Sequence, residues 1–226
     1  MLRKLLATIG LASSATAIAA PPYAPYPSEA ANAIYNLLFC DSVAAFLAKP
    51  GETPVPWQAA LASVPPNVEG LRALADDRQQ EGRVRYLAYQ QLRSLGQAVP
   101  PRQLLGVIVE VPLAGGLDAL AAYSEGGVRY VNQSGKIAVI EGVHTFAPIV
   151  HGLFAASLPV VNAIGPWKEA RRAPPQRGNI RLTFLVSDGL YFGEGPMSVM
   201  QREAMAAPVI QKATELLQAV VAAGAK

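Results

Sequence analysis

The chain has one cysteine in 226 residues, Cys40. No internal disulfide can form, which excludes the stapled framework of a small extracellular module. Histidine is almost as scarce, with only His144 and His151. On one helix they would stand about 10 Å apart, too far to share an ion directly. No C-x-x-C, H-E-x-x-H or carboxylate-rich loop accompanies them, so the sequence points to no metal and no cofactor. Charge is thin as well. Asp, Glu, Lys and Arg make up 15% of the chain against roughly a quarter in an average domain, leaving ample apolar surface to bury. The formal charge is +3, and part of it belongs to a segment that reads as a secretory signal. Arg3 and Lys4 form its positive end, Leu5 to Ala19 its apolar run, and Ala17-Ile18-Ala19 a small-x-small cleavage site. Removal of residues 1–19 takes the basic residues from 19 to 17 against 16 acids, a charge of +1. A mature chain this close to neutral gives no reason to expect nucleic acid. The apolar run is shorter than the roughly 20 residues of a spanning helix, so the expected location is periplasmic or secreted with no transmembrane span.

What is present is organised around residues 104 to 141. Leu104-Leu105-Gly106-Val107-Ile108-Val109-Glu110-Val111 is a nearly unbroken apolar run rich in β-branched residues, as suits a strand covered on both faces. Pro112 and Gly115-Gly116 close it. Residues 117–123, 128–132 and 137–141 follow as short alternating runs, separated by Glu125-Gly126-Gly127 and Gln133-Ser134-Gly135-Lys136. Connections this short join only antiparallel neighbours, so the stretch is a four-stranded meander.

Helices are expected on either side. Pro21 to Pro27 is an extended proline-rich spacer, and Ser28 is the N-cap of a first helix. Asp41 is expected to cap a short second one carrying Val43, Phe46 and Leu47. Pro56 opens another, and residues 67–96 are helical with an interruption near Asp76-Asp77 and Gly96 as the stop. Arg83, Arg85 and Arg93 read as a solvated face. Residues 144–162 form an apolar helix kinked or broken at Pro159. Residues 165–178 are a basic linker, Ile180 to Asp188 a strand, and Asp188-Gly189 a hairpin turn into Leu190-Tyr191-Phe192. A last helix starts near Met197, with a break before Pro208. The whole predicts an α+β fold over residues 28–226, with helices on one face of an antiparallel sheet.

The order of elements over residues 102–226 resembles the profilin-like and roadblock-like plan, which implies a fold and no function. The phrase Leu120-Ala121-Ala122-Tyr123, Arg129-Tyr130 and Ser134-Gly135-Lys136 resembles a family of exported bacterial proteins of unknown function. That resemblance implies no activity and no site residue.

Candidate chemistry is sparse. Ser134-Gly135-Lys136 lacks the first glycine and the final Ser/Thr of a phosphate loop, having Tyr130 and Ile137 there. It also lacks the S-x-x-K spacing of a serine–lysine hydrolase. Cys40 with His144 or His151, oriented by Asp41 or Asn162, would make a thiol dyad only in an electropositive, partly exposed setting. Its neighbours Leu37-Leu38-Phe39 read as core. Glu110 inside an apolar strand would have a raised pKa and act as a general acid if buried alone. Solvent, Arg129 or Arg181 would neutralise that role. A hydrolase with dispersed residues would first involve Glu110, Ser134, Lys136 and His144.

The strongest recognition feature joins two segments. Lys168, Arg171, Arg172 and Arg177 outnumber Glu169 in the linker, and Gly193-Glu194-Gly195-Pro196 reads as a glycine loop opening a helix, where free N–H groups favour an anion. Lys168, Arg171, Arg172, Arg177, Gly193 and Gly195 are therefore the expected binding residues, for an acidic protein partner or an anionic ligand. The leading expectation is a non-enzymatic binding or interaction module. The alternatives are the small hydrolase and a ligand-sensing domain using residues 144–164 as a pocket wall.

Overall fold

The structure, a computed structural model, describes residues 22–141 and 146–224; the signal-like segment and His144 lie outside them. The glycine-punctuated stretch forms the meander β1 (Leu104–Leu113), β2 (Gly116–Tyr123), β3 (Val128–Val131) and β4 (Ile137–Ile140), each antiparallel to the one before. Gly126 at φ +98° and Gly135 at φ +81° sit in the last two turns, where a side chain would strain the backbone. β5 (Asn179–Val186) pairs with the free side of β1, and β6 (Gly189–Pro196) pairs with β5. The strand order is β4-β3-β2-β1-β5-β6, a six-stranded antiparallel sheet in an α+β fold.

β1 is buried from Leu104 to Glu110, as an apolar run covered on both faces should be. Its facing departs from simple alternation at the start. A register shift between Leu104 and Gly106 puts Leu104 with Val107 and Val109, and turns Leu105 and Ile108 to the opposite face. Glu110 shares that opposite face, where it meets Tyr35.

Helices cover both faces rather than one. On the first face, α1 (Glu29–Leu37), α2 (Pro56–Leu61), α3 (Val68–Asp76) and α4 (Gly82–Ser94) surround a core of Tyr35, Leu71, Leu87, Leu105, Ile108 and Tyr123. On the second, α5 (Ala147–Ala163) and α7 (Ala206–Gly224) bury Val150, Leu153, Val209 and Leu216 with Val107, Leu182 and Phe184. The reason is in the strands: β1 sets Leu105 and Ile108 on the first face and Leu104, Val107 and Val109 on the second, and β2 sets Tyr123 and Leu120 on opposite faces in the same way. Each large side chain left in water would forfeit about 1.5–3 kcal/mol.

Local signals placed most helix ends. Ser28 Oγ accepts from the Ala31 N–H, and Asn67 Oδ1 from the Gly70 N–H. Gly96 takes φ +68° after α4, and the Gln97 N–H returns to the Leu92 carbonyl. The short α6 (Met197–Met200) is separated from α7 by residues 201–205, so the break does precede Pro208.

Other expectations are corrected. Of the two readings of Pro159, a kink or a break, the break is excluded: α5 continues past it, with Val160 and Val161 buried on the turn beyond. The arginines of α4 are not a solvated face: Arg85 is 4% exposed and donates to the Ala75 carbonyl at the end of α3. Arg83 pairs with Glu81 and lies over Phe46 and Tyr123, and Arg93 donates to the Ser187 carbonyl. Their long stems lie along apolar surface while the heads find acceptors. Asp41 caps no helix; a 3-10 turn at Val43–Phe46 follows Ser42 without a side-chain cap. The proline-rich spacer is not free either. Tyr26 is buried, and Asn32 and Asn36 bond the backbone of Tyr26 and Tyr23.

Candidate functional site

Residues 165–178 leave α5 on the second face and arrive on the first. The Trp167 N–H donates to the Leu190 carbonyl at 2.7 Å, so the segment lies along the outer edge of β6 and covers backbone an edge strand would expose. The Trp167 ring meets Phe192 edge-on, with centroids 5.0 Å apart. The chain then runs as a strap to the end of α1.

The strap's arginines divide. Arg171 points inward and is 5% exposed. Its Nη2 is 2.6 Å and its Nε 2.8 Å from Asp41 Oδ2, and Nη2 also donates to Asn36 Oδ1. Its guanidinium lies 3.9 Å from the Phe39 ring centroid and 4.9 Å from that of Tyr23, whose hydroxyl donates to the Arg171 carbonyl. Burial pushes the Asp41 carboxyl up, opposed by its bonds to Arg171. Arg171 is thus a clasp between strap and α1, not a surface cation. Arg172 is exposed and its guanidinium carbon lies over Trp167 and Phe192, 4.6 and 5.5 Å from their ring centroids. Lys168 and Arg177 are exposed.

Beneath the clasp is a buried polar chain. The Tyr35 hydroxyl donates to Glu110 Oε1 at 2.6 Å, and Glu110 Oε2 lies 3.6 Å from Arg181 Nη1. Arg181 makes closer contacts with Glu194 Oε2, at 2.7 and 2.9 Å, and donates to the carbonyls of Arg172 and Ala173 in the strap. Glu110 is fully buried. Desolvation raises its pKa, and the positive charge of Arg181 opposes the rise. Of the two arginines considered for it, Arg181 is the neighbour. Arg129 pairs with Glu141 at 2.6 Å and Glu81 at 3.2 Å.

Gly193-Glu194-Gly195-Pro196 is not a loop. These residues are the second half of β6, opposite Leu182, Arg181, Ile180 and Asn179 of β5. Gly195 leaves room for Met200, since a Cβ there would come 3.3 Å from its sulfur. α6 is a single turn whose first N–H already donates to the Gly178 carbonyl. The two segments do meet, through Arg181 and through Arg172 on Phe192, but without a helix-end anion cradle. Glu194 is tied up with Arg181.

The remaining candidates are dispersed. Ser134 and Lys136 are exposed on the β3–β4 turn, where Ser134 Oγ donates to Asn132 Oδ1. Cys40 is fully buried, and desolvation holds its thiol well above the usual value. His151 is exposed on α5. Among the described residues no group of three His, Cys, Asp or Glu could hold a metal ion, and no helix is long and apolar enough to cross a membrane.

Between the strap, the end of α1, α4 and the β5–β6 turn lies a cleft of about 350 Å³. Asp41, Tyr86, Arg93, Trp167, Lys168 and Asp188 are among its lining residues. Asp41, Trp167 and Phe192 have no motif to announce them. Arg181 and Glu194 stand directly opposite because the two-residue turn falls at Ser187-Asp188; the Asp188-Gly189 turn read from the sequence would have set Arg181 opposite Pro196. Comparison of the chain with family models, curated proteins and solved structures finds no match.

Proposed function

We propose that the mature chain is an exported, non-catalytic binding module that takes an acidic segment of a partner protein against the strap. The observation that carries this is Arg172, exposed yet held over Trp167 and Phe192, with Trp167 and Lys168 of the same segment lining the cleft. A guanidinium stacked on aromatic rings is pre-oriented, so less rotamer freedom is lost when its fork meets a carboxylate. Lys168 and Arg177 add positive charge on the same segment. The dispersion of Glu110, Ser134 and Lys136 supports the non-catalytic part, because no two of them share a hydrogen bond. Export rests on residues 1–19, and N-terminal sequencing of the mature chain should read Ala20 first.

The test is retention on immobilised poly-L-glutamate. The mature chain should be held at low salt and released as salt rises, since exposed pairs are screened within about 10 Å at 0.1 M. Lys168→Ala with Arg172→Ala should elute much earlier with nearly the wild-type melting temperature, each surface contact being worth about 0–1 kcal/mol. Retention unaltered by the double substitution would remove the strap from the reading.

A further inference from the structure

The second face of the sheet carries a separate cavity. Strands β1 to β3 with Ile180 of β5, the α6 end and the middle of α7 form the walls of a half-open hollow of about 230 Å³. Val109, Val111, Leu120, Ile180, Ile210 and Leu217 supply most of its wall. A cavity of about 150 Å³ lined by such side chains accepts a benzene ring. The space here therefore takes a ring with a short chain attached.

One charged group lines this wall. Asp118, on β2, faces the cavity beside Tyr130 of β3. The Tyr130 hydroxyl donates to Asp118 Oδ2 at 3.0 Å and the Gln133 N–H donates to Oδ1 at 2.7 Å. These two bonds fix the carboxylate's orientation and leave lone pairs on both oxygens. Burial and the neighbouring Asp118 push the Tyr130 hydroxyl well above its usual range, so it stays a donor. No lysine or arginine lines the cavity, which leaves the carboxylate to set the sign of what binds. Few polar groups placed at the edge of an apolar hollow are what give a small-molecule site its orientation and selectivity.

We propose that this cavity binds a small aromatic or aliphatic amine, its apolar body between α7 and the sheet and its ammonium group on Asp118. The site is independent of the strap, which lies on the other face.

Calorimetric titration of the mature chain with phenethylamine, and with hydrocinnamate as the anion of matching shape, tests this. Phenethylamine should bind saturably and at least about tenfold more tightly than hydrocinnamate. Asp118→Asn, which keeps the shape and an acceptor, should bring the two probes within about threefold of each other. Thr214→Trp, at an exposed position of the α7 wall, should block both probes without lowering the melting temperature; Leu113→Trp on the β1 wall should do the same. No saturable binding of phenethylamine up to about 10 mM would overturn the proposal. So would equal affinity for the two probes, or binding that survives both tryptophan variants.

Discussion

Glu110 shows what one residue in an unusual place can and cannot do. It lies in the middle of a sheet, under α1, with Tyr35 on one oxygen and Arg181 near the other. Its carboxyl is held above the usual 4.5 by desolvation, which is the property expected of a general acid. Yet it lines none of the clefts described above, and a catalytic group must reach a substrate. Its consequence is for stability. With a raised folded pKa, the folded state keeps a proton over a pH range in which the unfolded chain has lost it. The stability this contributes is fully present below the ordinary glutamate range and is lost as pH rises through the raised value. Glu110→Gln keeps an acceptor for Tyr35 and cannot ionise. The melting temperature of the wild type should therefore fall relative to that of Glu110→Gln as pH goes from about 4 to about 8. Calorimetry at several pH values reads this directly; a gap that stays flat or moves the other way contradicts it. Asp41, shifted in the same direction, is present in both proteins and cancels.

At the scale of elements, the strap is where sequence and structure part company. The meander was legible because a two-residue period and glycine turns are local signals, and α3 and α4 because their caps are local too. The strap has no period. Arg171 and Arg172 are the same residue type in consecutive positions, and an extended chain sends consecutive side chains opposite ways. Which one turns inward is decided by Asp41 and Phe39, some 130 residues earlier, and nothing local encodes that. The same holds for Gly195, whose small size serves Met200 rather than a ligand. The division makes a sharp prediction. Arg171→Ala would leave Asp41 largely buried without its partner, a change that costs about 3 kcal/mol or more. In a chain of this size that lowers the melting temperature by roughly 10 °C. Arg172→Ala should shift it by at most a few degrees, the loss of one exposed cation–aromatic contact of about 0.5–1 kcal/mol. Equal shifts in the two variants would contradict the inward and outward assignment.

For the whole molecule, the sheet is a partition with a core on each side. The first face carries the clasp, the buried Glu110–Arg181–Glu194 chain and the strap. The second carries α5, α7 and the cavity beside Asp118. The length of apolar β1 was readable, and it demanded cover on both faces, but element order alone suggested one. Amide chemical-shift mapping reads directly whether the strap takes an acidic segment. Isotope-labelled mature chain is titrated with a short oligoglutamate peptide at low salt. Saturable shifts should concentrate at Trp167, Lys168, Arg172 and Phe192 and be abolished by about 0.5 M salt. Shifts centred instead on the exposed Lys136 turn, or no saturable shift anywhere, would contradict recognition by the strap.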